Sequence, residues 1–170
     1  MRRQYYVMFV AVIGICAGGG WLYAQGGGGP VSQTLPGADV AEIEQLYARY
    51  NQGWDFKDVE LYLSAYTEDA VFTTGNGTAY AGKAAIRDYL TTAFSNGVSA
   101  DRTHNNTSIL ITPTAEGAGG RGYWTVVNVM AQPPAIAGVG YYDDTFVKTE
   151  DGWRIKSRTS TRGWAWRLSQ

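Results

Sequence analysis

The segment Gly138–Thr149 reads GVGYYDDTFVKT, and it is followed by the turn residues Glu150-Asp151-Gly152 and by Trp153–Thr161, WRIKSRTST. Both runs are rich in β-branched and aromatic residues, which favour strands. The Asp-Gly pair between them favours a tight turn. The pattern therefore predicts two neighbouring strands near the end of the chain, and the rest of the fold is worked out from them.

Two further runs of the same composition come earlier, at Thr103–Thr112 and Arg121–Met130. Clusters of turn-forming residues at 113–120 and 133–134 separate these runs from each other and from the last pair. The C-terminal half of the chain is therefore predicted to consist of four sequential strands.

The N-terminal half instead has apolar residues at helical spacing. Asp39 is the expected N-cap of a first helix that Gly53 ends, Asp58 opens a second and shorter helix, and Lys83–Phe94 forms a third. A short strand is expected at Ala70–Thr74. Three helices and a run of strands predict an α+β fold, with the helices packed on one face of a strongly curved, mixed or antiparallel sheet. Such a sheet has room for a pocket at its open end.

The composition is that of one globular domain. Of 170 residues, 45% are hydrophobic and 17% are charged, which argues against a disordered chain. The net charge of −1 gives no electrostatic reason to expect nucleic acid as a partner.

The N-terminus has the pattern of a targeting segment. Arg2 and Arg3 precede an apolar stretch at 6–17, and Leu22-Tyr23-Ala24 is an acceptable cleavage site before Gln25. We expect a signal peptide at 1–24, a Gly/Pro-rich linker at 25–38 and a domain at 39–170. The protein would then be exported, to the periplasm or the medium; the alternative is an uncleaved N-terminal helix that anchors it in the membrane.

His104 is the only histidine in the chain, and histidine is the side chain whose ordinary pKa lies closest to neutrality. Asp55 lies where the first helix is expected to end. A carboxylate paired with an imidazole is a recurrent proton-transfer device. The alternative is that His104 is a hydrogen-bonded polar residue at a strand start and Asp55 a solvated carboxylate.

Aromatic residues are abundant, with 6 Trp and 12 Tyr, which suits either a pocket with few charges or an aromatic core. Arg158 and Arg162, late in the last strand, could bind a carboxylate or an oxyanion; an exposed strand charge is the commoner explanation. The predicted substrate contacts are Tyr47, Tyr50, Trp54, Tyr66, Trp124, Asn128, Tyr142 and Arg162.

Two stretches resemble a known family. Tyr66–Phe72 followed by Gly82–Ile86 is similar to the pattern F-x-x-D-A-x-F…G-x-x-A-I, and Gly140–Lys148 with Asp151–Ile155 is similar to a final hairpin, both typical of the SnoaL-like branch of the nuclear transport factor 2-like superfamily. The resemblance covers about residues 39–163. It implies a cone-shaped α+β fold and, since such cones often associate, a homodimer or homotrimer.

Asp55 and His104 narrow the resemblance to scytalone dehydratase, bile-acid 7α-dehydratase and hexachlorocyclohexane dehydrochlorinase. This implies a lyase or isomerase without a cofactor, in which His104 transfers a proton, Asp55 orients it, and the substrate is a hydrophobic cyclic small molecule. The chain departs from the dehydratases at Trp54, where a tyrosine is expected, and at Asn128, near the position of a second histidine.

Other functions stay open at this point. The same fold also serves as a non-catalytic module for ligand binding or assembly, and a third possibility is an epoxide hydrolase, although its Asp–Arg–Asp set is not legible. One histidine and dispersed carboxylates predict no metal site. No glycine-rich loop stands between a strand and a helix, so no nucleotide cofactor is expected.

Overall fold

In a computed structural model of the protein, the described residues are 34–98 and 100–163. The predicted signal peptide and residues 25–33 of the predicted linker lie outside them. The described residues include 39–98 and 100–163 of the predicted domain together with 34–38 of the predicted linker, and residues 164–170 of the predicted domain lie outside them.

The described residues form three helices and six strands. The helices are α1 (Gly37–Asp55), α2 (Val59–Leu63) and α3 (Gly82–Ser95), and the strands are β1 (Tyr66–Thr73), β2 (Ala79–Ala81), β3 (Arg102–Thr114), β4 (Gly117–Asn128), β5 (Ala135–Thr149) and β6 (Gly152–Arg162). The six strands form one sheet in the order β2-β1-β6-β5-β4-β3. Only the pair of β1 with β6 is parallel.

The sheet curves around α1. This helix packs against β6, in the middle of the sheet, and also against β3, at its edge. One helix can contact strands that far apart only if the sheet bends towards it. The predicted α+β class, with N-terminal helices on a curved, unclosed mixed sheet, is confirmed. Within the described residues, no helix combines the length and the apolar character needed to cross a membrane.

Helix α1 presents a buried stripe of Ile43, Leu46, Tyr47, Tyr50 and Trp54 to the sheet. These positions recur at the three- and four-residue spacing of one helix face. Packing of this stripe against the sheet holds the helix in place. Both ends of the helix differ from the predicted ones.

The helix begins at Gly37 and Pro36 is its N-cap, so the prediction for Asp39 was wrong. Asp39 lies in the first turn, where its Oδ1 accepts a hydrogen bond from Lys148 Nζ at 2.7 Å. Gly53 does not end the helix, which continues to Asp55. A Cβ atom on Gly53 would lie 2.5 Å from the Tyr62 main-chain nitrogen. This glycine therefore lets α2 pass close to α1.

The other two predicted helices are confirmed. Asp58 is the N-cap of α2, and its Oδ1 accepts a hydrogen bond from the Leu61 amide at 2.9 Å. Helix α3 exceeds the prediction by one residue at each end. Strand β1 begins at Tyr66 instead of Ala70, because Tyr66 pairs with Ile155 of β6. The short strand β2 was not predicted.

The predicted turn at 113–120 is mostly strand. Pro113 pairs with Ala118 and Thr114 with Gly117, so that only two residues separate β3 from β4. The glycines that suggested a loop make room for side chains instead: a Cβ atom on Gly120 would lie 2.7 Å from the Phe146 ring.

Candidate active site

The end of α1 and the start of β3 bring Asp55 and His104 together. Asp55 Oδ1 lies 2.6 Å from His104 Nδ1, and Asp55 Oδ2 accepts the His104 main-chain N–H at 2.9 Å. Both side chains are largely buried, with exposed fractions of 15% and 12%. One carboxylate therefore binds the ring and the main chain of the same histidine, which fixes the position of the ring.

The contact with Asp55 also assigns roles to the two ring nitrogens. A carboxylate accepts hydrogen bonds, so Nδ1 carries the proton that it shares with Asp55. In the neutral ring, Nε2 is then the unprotonated nitrogen and is available as a base. The Trp54 ring packs edge-on against the imidazole, with ring centroids 5.9 Å apart.

His104 forms part of the wall of a cavity of about 340 Å³. This volume is at the low end of the range for small-molecule sites, roughly 300–1,000 Å³. The aromatic part of the wall consists of Tyr50, Trp54, Phe72, Tyr89, Trp124 and Tyr142. The other lining residues are Thr74, Gly75, Asn76, Arg102, Val126, Ala137, Ser160 and Arg162. The cavity therefore combines flat apolar surfaces with polar groups that donate hydrogen bonds.

The Trp124 ring fits into this wall because Gly140 of β5 has no side chain. A Cβ atom on Gly140 would lie 2.4 Å from Trp124 Cζ2 and 2.0 Å from the Thr161 carbonyl oxygen. The indole thus lies where any other residue at 140 would place its side chain.

Of the predicted substrate contacts, five line the cavity with His104: Tyr50, Trp54, Trp124, Tyr142 and Arg162. Three predicted contacts do not line it, and the structure assigns each of them to another place in the fold.

Tyr47 is 1% exposed and packs beneath the cavity against Phe146, with ring centroids 6.1 Å apart. Tyr66 is also 1% exposed and stacks on Tyr62 at 5.6 Å. The Asn128 side chain turns the chain after β4, because its Oδ1 accepts hydrogen bonds from the amides of Met130 and Ala131. All three were expected to contact substrate, and all three belong to the framework instead.

Several lining residues were not predicted. Arg102 could have been found, because it lies two residues before His104 in a strand and such residues share a face. Tyr89 lies on the apolar stripe of α3 and gave no separate signal. Thr74 and Asn76 come from the turn between β1 and β2, which the curved sheet carries to the cavity.

A second ion pair lies in the core beneath the cavity. Arg158 Nε and Nη2 donate to the two Asp144 oxygens at 2.8 and 2.7 Å, and both side chains are fully buried. The guanidinium lies 4.6, 4.3 and 4.3 Å from the ring centroids of Tyr47, Tyr50 and Tyr142. The interpretation of Arg158 as an exposed strand charge is therefore wrong.

The surroundings of this pair change the pKa of Arg158 and that of the neighbouring Tyr142. Burial alone would lower the pKa of Arg158, but the charge and hydrogen bonds of Asp144 hold it well above its ordinary value. Burial raises the pKa of Tyr142 well above its ordinary range, and the neighbouring Tyr50 raises it further. Tyr142, which lines the cavity, therefore keeps its hydroxyl group neutral at neutral pH.

Metal ligands are not grouped in the described part of the chain: no three His, Cys, Asp or Glu residues there are close enough to hold an ion. The chemistry that the arrangement can support is proton transfer by His104, assisted by Asp55.

Comparisons with solved structures agree on the fold. A protein of unknown function with a cystatin-like fold from Nostoc punctiforme is 25% identical, with a TM-score of 0.69, over 77% of this chain and 96% of that one. A protein of unknown function from Mycobacterium tuberculosis is 27% identical, with a TM-score of 0.66, over 74% and 72%. An NTF2-like protein with a cystatin-like fold from Novosphingobium aromaticivorans is 25% identical, with a TM-score of 0.68, over 78% and 90%.

No curated protein matches the chain. The SnoaL-like domain, in contrast, matches residues 37–159, from the first residue of α1 nearly to the end of β6. The match includes both members of the Asp55–His104 pair and most of the cavity wall. The chain therefore belongs to the SnoaL-like domain family.

Proposed function

We propose that the protein is a cofactor-independent lyase or isomerase that acts on a hydrophobic, cyclic small molecule by proton transfer between the substrate and His104. One observation carries the proposal: the only histidine of the chain is hydrogen-bonded to Asp55 at 2.6 Å and forms part of an aromatic cavity wall. The family match and the resemblance to dehydratases at Asp55 and His104 support it.

The proposed reaction begins when Nε2 of His104 removes a proton from a carbon next to an activating group, such as a carbonyl. The Asp55 carboxylate stabilises the imidazolium that forms. The imidazolium then returns the proton, to a departing hydroxyl group in an elimination or to another carbon in an isomerisation. Proton transfer by a positioned group of this kind typically contributes about 10²–10⁴-fold to the rate.

A hydroxyl group in the wall would assist by donating a hydrogen bond to the substrate carbonyl. Trp54 stands where the dehydratases are expected to have a tyrosine, so the donor has to come from elsewhere. Tyr50 and Tyr142 line the cavity, and Tyr142 is held neutral by burial. Tyr142 is therefore our candidate for the residue that polarises the carbonyl.

The proposal is tested with a panel of hydroxylated or keto steroids, terpenoids and polyketides, analysed for loss of water or a shifted double bond. For a substrate that is turned over, His104→Gln and His104→Ala should lower kcat about 10²-fold or more, because the loss is confined to proton transfer. Quenching of the cavity tryptophans, Trp54 and Trp124, measures ligand affinity separately, and affinity should change little.

Asp151→Asn is the matched control for Asp55→Asn. It makes the same carboxylate-to-amide change in the exposed turn between β5 and β6. Asp55→Asn should lower kcat and Asp151→Asn should not. Turnover that is unchanged in His104→Ala would refute the proposal.

A second candidate function is a non-catalytic ligand-binding module. The missing phenol at Trp54 favours it, because the aromatic wall could bind a ligand without acting on it. In that case Trp124→Ala would weaken binding, whereas no conversion of any bound compound would depend on His104.

We further propose export and self-association. The targeting pattern at 1–24 supports export, and intact-mass analysis of extracytoplasmic protein should find a mature chain that begins near Gln25. Exposed apolar side chains on the sheet, including Leu110 and Ile136 at 68% and 69% exposure, support a homodimer or homotrimer. A monomer in light scattering would contradict the second part.

A further inference from the structure

We propose that the cavity selects ligands that carry a carboxylate, and that Arg162 binds this group at a distance from His104. The inference deepens the proposed function, on which it rests only in placing the ligand in the same cavity. It starts from the charges of the wall, which contains two arginines and no carboxylate.

The two arginines differ in how far they are neutralised. Arg102 Nε lies 3.6 Å from Asp101 Oδ1. Arg162, in contrast, has no carboxylate partner among residues 34–98 and 100–163. A guanidinium presents a planar fork of donors that matches a carboxylate. Arg162 is therefore the cation that a ligand carboxylate can pair with at the lowest cost.

The position of Arg162 relative to His104 follows from the strand register. His104 pairs with Val126 of β4, and Val126 pairs with Gly138 of β5. Arg162 Nη2 lies 3.5 Å from the point that a Cβ atom on Gly138 would occupy. The guanidinium thus reaches the row of His104 two strands away. Neighbouring strands are about 4.8 Å apart, which places the anion site roughly 10 Å from the proton-transfer residue.

The Trp124 indole lies at the Arg162 end of this distance. Its Cζ3 atom lies 3.4 Å from the same point on Gly138, next to Arg162 Nη2. A ligand that reaches from His104 to Arg162 would lie against an indole. The expected ligand is therefore a cyclic apolar acid, whose reacting carbon is separated from its carboxylate by about the length of two rings.

Arg102 has a supporting role. It lies two residues from His104 on the same face of β3, roughly 7 Å along the strand. Its charge adds to the positive potential of the cavity, but Asp101 offsets part of it.

The test compares two probes that differ in charge, 4-cyclohexylbenzoate and 4-cyclohexylbenzamide, by isothermal titration calorimetry. The wild-type protein should bind the acid about 10-fold or more tightly than the amide, because hydrogen bonds to charged groups are the strong ones. Arg162→Gln should remove this preference and leave the affinity for the amide unchanged. Arg102→Gln should reduce the preference by a smaller factor.

Arg154→Gln is the matched control, because Arg154 lies on the same strand and does not line the cavity. It should keep the full preference. Equal binding of the two probes by the wild type, or a preference that survives in Arg162→Gln, would overturn the proposal. The readout is the preference between two probes and not turnover, so its failure leaves the proposal of proton transfer by His104 standing, and the His104 variants test that proposal separately.

Discussion

Two carboxylates of this domain each bind one basic side chain, one in the core and one at the wall of the cavity. Asp144 binds Arg158 in the core, where both side chains are fully buried. Asp55 binds His104 at the cavity wall, where the side chains keep 15% and 12% of their surface exposed. Tyr50 and Tyr142 lie between the two regions, because they contact Arg158 and also line the cavity.

The difference between the pairs is one of access and of chemistry. Arginine keeps its proton at any pH that a protein meets, so the Arg158–Asp144 pair can only hold its surroundings in place. Histidine can release and regain a proton near neutrality, and His104 can be reached from a cavity. The same carboxylate–cation contact therefore serves architecture in one region and is suited to catalysis in the other.

Removing one member of the core pair is expected to have the largest effect on stability. Arg158→Met should lower the free energy of unfolding by about 3–5 kcal/mol, because it leaves the Asp144 carboxylate buried and unpaired. Urea denaturation followed by circular dichroism measures the loss. The double variant Asp144→Leu with Arg158→Met removes both charges and should recover most of it. A single variant that unfolds at the wild-type urea concentration would contradict the assignment of this pair to the framework.

The next effect on stability is expected at high pH, where the buried tyrosines should lower the free energy of unfolding. Burial raises the pKa of Tyr62, Tyr66 and Tyr142 well above the ordinary value near 10. Above pH 10 the unfolded chain therefore binds fewer protons at these residues than the folded one, and stability falls as pH rises. Below pH 10 this contribution is fully present. The loss should be about 1.4 kcal/mol per tyrosine for each pH unit above 10.

Urea midpoints at pH 8, 9.5 and 11 measure this loss, and absorbance at 295 nm follows the tyrosinates that form. In the folded protein, the absorbance of the buried tyrosines should rise only well above pH 10, together with unfolding. In concentrated urea, the same tyrosines should ionise near pH 10. If all tyrosines of the folded protein ionised near pH 10, the three tyrosines would be accessible to water and the prediction would be wrong.

The smallest effect on stability is expected at the cavity pair. Asp55→Asn should change the free energy of unfolding by about 1 kcal/mol, since an amide still accepts one of the two hydrogen bonds. The substitution should instead change the hydrogen bonding of the imidazole ring. The single oxygen of the amide cannot accept hydrogen bonds from both Nδ1–H and the main-chain N–H as the two carboxylate oxygens do. Long-range ¹H–¹⁵N spectra resolve this, since the chain has a single histidine. A stability loss as large as that of Arg158→Met would remove the distinction between the two pairs.

Sequence patterns located the cavity pair but not the core pair, and the reason is physical. Asp55 and His104 stand out as residue types: a lone histidine, and a carboxylate at the end of a helix stripe. Nothing in the local pattern of β6 marks Arg158 as buried, because its burial depends on a ring from α1, a ring from β5 and a carboxylate from β5. Those contacts exist only after the sheet has curved.

The same limit explains the errors at Tyr47, Tyr66 and Asn128. A tyrosine on an apolar helix face looks the same from the sequence whether its hydroxyl reaches a cavity or lies beneath it. The glycines within 117–120 predict a loop because glycine favours turns, whereas in the fold Gly120 makes room for Phe146. Periodicity predicts which face of an element is apolar, but the depth of a residue behind that face is a tertiary property.

Gly140 offers a way to sort the members of this family by the shape of their cavities. Its bare main chain fixes the Trp124 indole, so a relative with any larger residue at this position has to move or replace the tryptophan. The combination of Gly140 and Trp124 is thus a pair of residues that can be recognised in the sequences of relatives. Relatives that have both residues are expected to accept ligands of similar shape. Relatives in which both residues differ are expected to bind ligands of a different shape.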